Sequence, residues 1–152
     1  MEMKVKDPKP TNLSPMMAQW YDCKQQAKSA LLLFRLGDFY EAFYDDAKVL
    51  SESLNVTLTQ RQSIPMSGIP AHASEGYIKK LVDKGFLVAI AEQMEDPKQV
   101  KGIVKRKVVK TISPGTILSA SLLSDHANNF FVSLTQVNQV FGFALLDLST
   151  GE

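Results

Sequence analysis

Apolar positions recur with two different periods along the chain, and the switches between them mark its elements. Met16, Met17, Trp20, Tyr21 and Ala27 form a stripe at helical spacing. Ser14 precedes the stripe as an N-cap and Pro15 takes the first helical position, so a helix ending near Lys28 is predicted. Leu31 to Phe34 is a short, bounded apolar run and reads as a buried strand. Beyond Gly37, the segment Phe39-Tyr40-Glu41-Ala42-Phe43 reads as extended. A second helix starts near Tyr44, with Asp45 and Asp46 in the first turn, where the helix dipole favours acids. Ala47, Leu50 and Leu54 are its inward positions. Val56 to Gln60 alternates as a half-buried strand with Val56 and Leu58 inside.

Arg61 to Ala71 contains Pro65, Gly68 and Pro70, which argue against a helix or a central strand and predict a stiff loop. Such a loop holds Met66 in place, either as a lid on the core or as an exposed apolar contact. Ser74 caps a third helix through Lys84, with Tyr77, Ile78, Leu81 and Val82 inward and Gly85 as its stop. Phe86 to Ala91 is nearly all apolar and reads as a central strand covered on both faces. Val104 to Ile112 is a further strand, ended by Ser113-Pro114-Gly115. Phe130 to Gln136 and Val140 to Leu148 read as a hairpin closed by Val137-Asn138-Gln139. The pattern is that of a mixed α/β (α+β) domain, with a mixed sheet of about five strands surrounded by helices. A charged, Pro-containing tail occupies residues 1–13 and the domain residues 14–115; a connecting segment follows at 116–129, then the start of a second domain at 130–152.

Composition narrows the function. The chain has 152 residues, 45% hydrophobic and 22% charged, with net charge +1, so any nucleic-acid signal must be local. Six basic residues and no acid lie between Lys98 and Lys110: Lys98, Lys101, Lys105, Arg106, Lys107 and Lys110. They read either as guards of a strand edge or as a phosphate-binding strip. The single cysteine, Cys23, fits a reducing compartment, and no Cys/His cluster offers a zinc site. No glycine is followed by lysine, so the chain has no G-x-x-x-x-G-K-[ST] phosphate loop. No apolar run is long enough to span a membrane. An enzyme reading would need a metal-dependent nuclease site built from Asp38, Glu41, Asp45, Asp46 and Glu92, but Glu92-Gln93-Met94 lacks the lysine that such a site wants.

In an extended Phe39–Phe43 segment, Phe39, Glu41 and Phe43 share one face. A carboxylate between two rings makes a poor core face. Taken alone, these residues favour Phe39 as core and Glu41 as a solvated neighbour. The other arrangement sets an aromatic ring and an acid side by side at an exposed edge.

Several segments, in order, resemble the N-terminal region of the MutS family of DNA mismatch-repair proteins. They are Leu13-Ser14-Pro15-Met16-Met17, Leu32-Leu33-Phe34-Arg35-Leu36-Gly37-Asp38-Phe39-Tyr40-Glu41 and Phe43-Tyr44-Asp45-Asp46-Ala47. They continue with Ile64-Pro65-Met66-Ser67-Gly68-Ile69-Pro70, Val88-Ala89-Ile90-Ala91-Glu92-Gln93, Ser113-Pro114-Gly115-Thr116 and Leu146-Asp147-Leu148-Ser149-Thr150-Gly151. The Arg61–Ser63 loop is shorter than in some members, which bears on loop contacts to the DNA backbone.

The resemblance implies a non-catalytic mismatch-recognition domain, followed by the first hairpin of a connector domain that is ribonuclease H-like in the family. It implies Phe39 as a wedge at the mispair from the minor groove and Glu41 as its hydrogen-bonding partner. Met66, Arg35, Arg61, Lys105 and Arg106 are further candidate DNA contacts. The implied ligand is double-stranded DNA with mispairs or small insertion/deletion loops. The full-length parent is expected to be a homodimeric DNA-dependent ATPase of the bacterial cytoplasm, associated with the nucleoid. It would use ATP and Mg2+ and partner with MutL, with no cofactor in this chain. A protein-interaction module is the alternative.

Overall fold

The computed structural model describes residues 13–96, 99, 101–114, 128 and 130–148. The tail over residues 1–12, Lys98 and nearly all of the segment 116–129 lie outside the described residues. The chain divides into two compact units, Met1–Thr116 and Ile117–Glu152.

The first unit runs α1 (Pro15–Ala27), β1 (Leu31–Leu36), β2 (Phe39–Phe43), α2 (Tyr44–Leu54), β3 (Thr59–Arg61) and β4 (Ile64–Pro70). A 3-10 turn (Ala71–Ala73), α3 (Ser74–Asp83), β5 (Val88–Gln93) and β6 (Arg106–Ile112) follow. The six strands form one sheet in the order β3-β4-β2-β1-β5-β6. Strands β1 and β5 are parallel, and every other neighbouring pair is antiparallel.

Ser14 caps α1 as its sequence demands, its hydroxyl accepting from the Met17 N–H at 3.4 Å. The buried face of α1 (Met17, Trp20, Cys23, Ala27) packs on Leu32, Phe34, Phe43, Ala89 and Ala91. Trp20 meets Phe43 edge-on, with ring centroids 6.0 Å apart. Leu31, Leu33, Ile69, Val88 and Ile90 alternate to the opposite face, where α2 and α3 bring Leu50, Ile78 and Leu81.

Three expectations need correction. Ile64–Pro70 is a strand with neighbours on both sides, not a loop, which raises the sheet to six strands. Its prolines are tolerated because each sits where β4 has only one neighbour. Pro65 pairs only with Gln60 of β3, and Pro70 only with Phe39 of β2. The strand expected at Val56–Gln60 is shifted to Thr59–Arg61, exposed at all three residues, with Leu58 47% exposed rather than inside. Its hairpin turn was hidden because Gln62 and Ser63 both take positive φ (50° and 66°) without the Asn-Gly signature. Ser74 is the first residue of α3 rather than its cap, and its hydroxyl donates to the Ala71 carbonyl at 2.8 Å.

Asp46 is more than a helix-dipole acid. It forms a buried ion pair with Lys24 at 2.8 Å, both side chains 6% exposed. Lys24 Nζ also donates to the Ala30 carbonyl at 2.8 Å, and Asp46 accepts the Leu32 N–H at 3.0 Å. The pair therefore ties α1, the start of β1 and α2 together with its hydrogen-bonding capacity largely used.

In the second unit, β7 (Phe130–Val137) and β8 (Val140–Asp147) form the expected hairpin, with Asn138 at φ 55° in its turn.

Breaking the buried pair on one side leaves an uncompensated charge. Asp46→Ala is expected to cost about 3–5 kcal/mol. The Lys24→Met/Asp46→Ala double variant should cost clearly less than the sum of the singles, as read by urea denaturation.

Candidate nucleic-acid interface

The site grows out of a two-residue hairpin turn. Gly37, at φ 59°, takes its first central position, the conformation a type II′ turn requires of glycine. Pairing of Leu36 with Phe39 and Phe34 with Glu41 then fixes which side chains share a face. Phe39, Glu41 and Phe43 point to the side that carries α1. However, α1 lies over β1 and β6 and does not extend across the tip of β2. Exposure along β2 follows: Phe43 is buried, the Glu41 side chain is 15% exposed, and Phe39 is 48% exposed. Phe39 is therefore not core, and the ring and the acid stand side by side.

Strand β4 continues this open half-face. Gly68 lies opposite Glu41. A Cβ at Gly68 would fall 3.2 Å from the Tyr40 carbonyl oxygen and 3.5 Å from Glu41 Cγ, so glycine leaves the Glu41 side chain its room. Met66, opposite Phe43, is half-buried and packs against the α1 core cluster. From β3, Arg61 Nη1 reaches Glu41 Oε2 at 3.3 Å. Burial raises the Glu41 carboxyl above its ordinary pKa, and the positive charges of Arg61 and Arg106 partly offset this.

The remaining basic candidates divide. Arg106 is held inside the structure. Its Nε donates to the Arg35 carbonyl at 2.6 Å, its Nη1 to the Val104 carbonyl at 2.8 Å, and its guanidinium lies 5.2 Å from the Phe34 ring. Burial lowers its pKa. Arg35 Nε donates to the Gly37 carbonyl at 2.6 Å, and its guanidinium lies 5.3 Å from the Tyr40 ring. Both arginines thus brace the β1–β2 hairpin. Lys105 is exposed just before β6. Lys107 and Lys110 pair with Glu92 and Ile90, which puts them on the sheet face opposite Phe39.

The acids of a nuclease site are dispersed. Asp46 is paired with Lys24, Asp45 with Lys48 at 2.8 Å, and Glu41 with Arg61. Glu92 sits on the opposite face, accepting the Tyr40 hydroxyl. Among the described residues no three His, Cys, Asp or Glu side chains are placed to hold a metal ion. No described helix is long and apolar enough to cross a membrane.

The family model of MutS domain I matches residues 14–121. The chain belongs to this family. It is 65% identical over 142 residues to the DNA mismatch repair protein MutS of Protochlamydia amoebophila, covering 93% of this chain and 17% of that protein. It is 55% identical to its namesake in Chlamydia muridarum, covering 91% of this chain and 17% of that protein, and 53% identical to that of Alkaliphilus oremlandii, covering 92% and 16%. The chain thus spans about a sixth of these MutS proteins.

Sequence reasoning missed Gly68 as the neighbour of Glu41 and Arg61 as its counterion. Both depend on the pairing of β4 with β2 and β3, which the prolines disguised.

Phe39→Ala is expected to cost under about 1 kcal/mol in thermal melts. The buried comparators Phe34→Ala and Phe43→Ala should each cost about 3–5 kcal/mol.

Proposed function

We propose that this chain recognises mispaired double-stranded DNA in DNA mismatch repair, with Phe39 as wedge and Glu41 as the group that engages the displaced base. The half-exposed Phe39 ring beside the partly buried Glu41 carboxyl, on an uncovered half-face of the sheet, carries this reading. Membership of the MutS domain I family supports it. An apolar wedge driven between base steps unstacks them at a cost of about a few kcal/mol per step and kinks the duplex. A mispair has already lost stacking and pairing, so the cost is lower there. Discrimination then comes from deformability and needs no base code, which suits mispairs and small loops alike.

Stiffness is what makes a wedge effective. Arg106 and Arg35 hold the hairpin carbonyls that support Phe39. Arg61, which reaches Glu41, and Lys105, exposed beside Arg106, are assigned to phosphates, with Met66 as an apolar contact on the same half-face. Lys107 and Lys110, on the other face, contribute through the general field.

Glu41 faces a dense negative field in DNA, and the minor groove mainly offers acceptors. A protonated carboxyl can donate to a ring nitrogen or carbonyl. Nearby phosphates and further desolvation raise its pKa above the free-state value, so the complex holds a proton that the free protein has released. Ionised, the same carboxylate repels matched DNA.

The chain carries no G-x-x-x-x-G-K-[ST] phosphate-loop sequence. We infer that the full-length protein is a homodimeric ATPase using ATP and Mg2+, working with MutL in the bacterial cytoplasm near the nucleoid. This chain supplies recognition.

Two outcomes test the reading in the full-length protein. Phe39→Ala should abolish the preference for heteroduplex over homoduplex DNA in equilibrium binding, while a retained preference would remove the wedge. For Glu41, wild-type heteroduplex affinity should rise as pH falls from about 8 to about 6, because the complex binds more protons than the free protein. Glu41→Gln should lose that dependence and bind matched DNA more tightly. Identical pH profiles in both proteins would rule out proton uptake at Glu41.

A further inference from the structure

Two of the acid–base pairs among the described residues have opposite character. Lys24–Asp46 is closed: 2.8 Å, 6% exposed on both sides, with further bonds to the Ala30 carbonyl and the Leu32 N–H. Arg61–Glu41 is open. It rests on a single contact of 3.3 Å between Nη1 and Oε2, with the Arg61 side chain 49% exposed. Glu41 Oε1 has no hydrogen-bond partner among the described residues.

The hairpin that brings Arg61 to this place is otherwise hard to account for. Its strand β3 is three residues long, Thr59-Gln60-Arg61, exposed at each of them, and contributes no apolar side chain to the core. Its turn places Gln62 and Ser63, neither a glycine, at positive φ, a conformation disfavoured for such residues. Register puts Arg61 opposite Ile64 and Glu41 opposite Gly68, both on the same face of the sheet.

We propose that Arg61 is a positioning residue for Glu41: their ion pair across the open half-face keeps the carboxylate charged and tethered to β3 until DNA phosphates draw Arg61 away. The proposal rests on the reading of Glu41 as the group that engages the mispair. Among charged groups, Arg61 from β3 and Arg106 from β6 act on Glu41. Arg106 is fixed by the Arg35 and Val104 carbonyls and cannot be exchanged readily. Phe34 of β1 and Gly68 of β4 flank Glu41 without charge, and Cys23 of α1 lies beside Arg106. Arg61 is therefore the adjustable counterion. A phosphate offers its guanidinium a stronger, bidentate acceptor. When it moves, Glu41 loses its partner while DNA removes its solvent, and both changes favour the protonated, donating form. Charge on Glu41 in the free state and its neutralisation on the mispair become one exchange.

The test uses the full-length protein containing this chain and a duplex with one G·T mispair. The readout is the gain in heteroduplex affinity between about pH 8.5 and pH 6, which reports the protons taken up on binding, with the salt dependence recorded alongside. Loss of a plain phosphate contact lowers affinity alike at every pH and leaves this gain as it was. Arg61→Gln removes the counterion from the free state only, so the free carboxyl moves up toward its state in the complex and the pH-dependent gain should shrink, by up to about fivefold, the scale of a partly exposed pair. Arg61→Lys should restore much of the wild-type profile. In a Glu41→Gln background, Arg61→Gln should leave the pH profile unchanged. The proposal is overturned if Arg61→Gln alters the pH profile equally in both backgrounds. It is also overturned if Arg61→Gln leaves the pH profile as in the wild type and only flattens the salt dependence by about 0.9, as loss of a plain phosphate contact would. A Glu41→Gln pH profile identical to wild type would instead overturn the underlying reading of Glu41, and this proposal with it.

Discussion

Everything at the candidate interface depends on the alternation of side chains along the five residues of β2 and on where α1 stops. Register with β1 and β4 forces Phe39, Glu41 and Phe43 to one side. Because α1 covers that side over β1, β6 and the Phe43 end of β2 but leaves the Phe39 end open, one strand passes from core to surface within five residues. Phe43 anchors the strand against Trp20. Phe39, four residues earlier, is left half-exposed. An exposed aromatic on an otherwise ordinary surface is tolerated because its backbone is paired on both sides, so the ring needs no burial of its own to stay in place.

Rigidity is supplied mainly by side chains donating to backbone carbonyls. Arg106 bonds the Arg35 carbonyl, and Arg35 bonds the Gly37 carbonyl, a chain running from the β6 edge to the hairpin tip. On the other face the Tyr40 hydroxyl is tied to Glu92 of β5 across β1. The Lys24–Asp46 pair fixes the opposite end, where α1, β1 and α2 meet. A hairpin clamped at both ends transmits force at its tip instead of bending, which is the property a wedge needs.

Much of this was legible from residue pattern alone. The helical stripe of α1 and the apolar run of β1 were each set by local chemistry, whereas Gly37 read as a bulge or a close backbone approach and proved to be a hairpin turn. The one-face placement of Phe39 and Glu41 was set by local chemistry too. Whether Phe39 was core was not legible, because that depends on how far a distant helix reaches across the sheet. The strand at Ile64–Pro70 was hidden by its prolines, which fit only because each lies at a one-sided stretch of pairing. Asp46 looked like a helix-dipole acid since its partner Lys24 is 22 residues away. The basic run from Lys98 to Lys110 looked uniform, but strand pairing sends Lys107 and Lys110 to the face away from Phe39 and locks Arg106 into the fold.

The central claim is that Phe39 enters the base stack beside a mispair. Its most direct test is the fluorescence of 2-aminopurine placed next to a single mispair, recorded with the full-length protein bound at saturation. Unstacking by the wedge predicts a rise in fluorescence with the wild type and none with Phe39→Ala at equal occupancy. An equal rise with both proteins would mean that the duplex is opened by something other than Phe39 and would contradict the account.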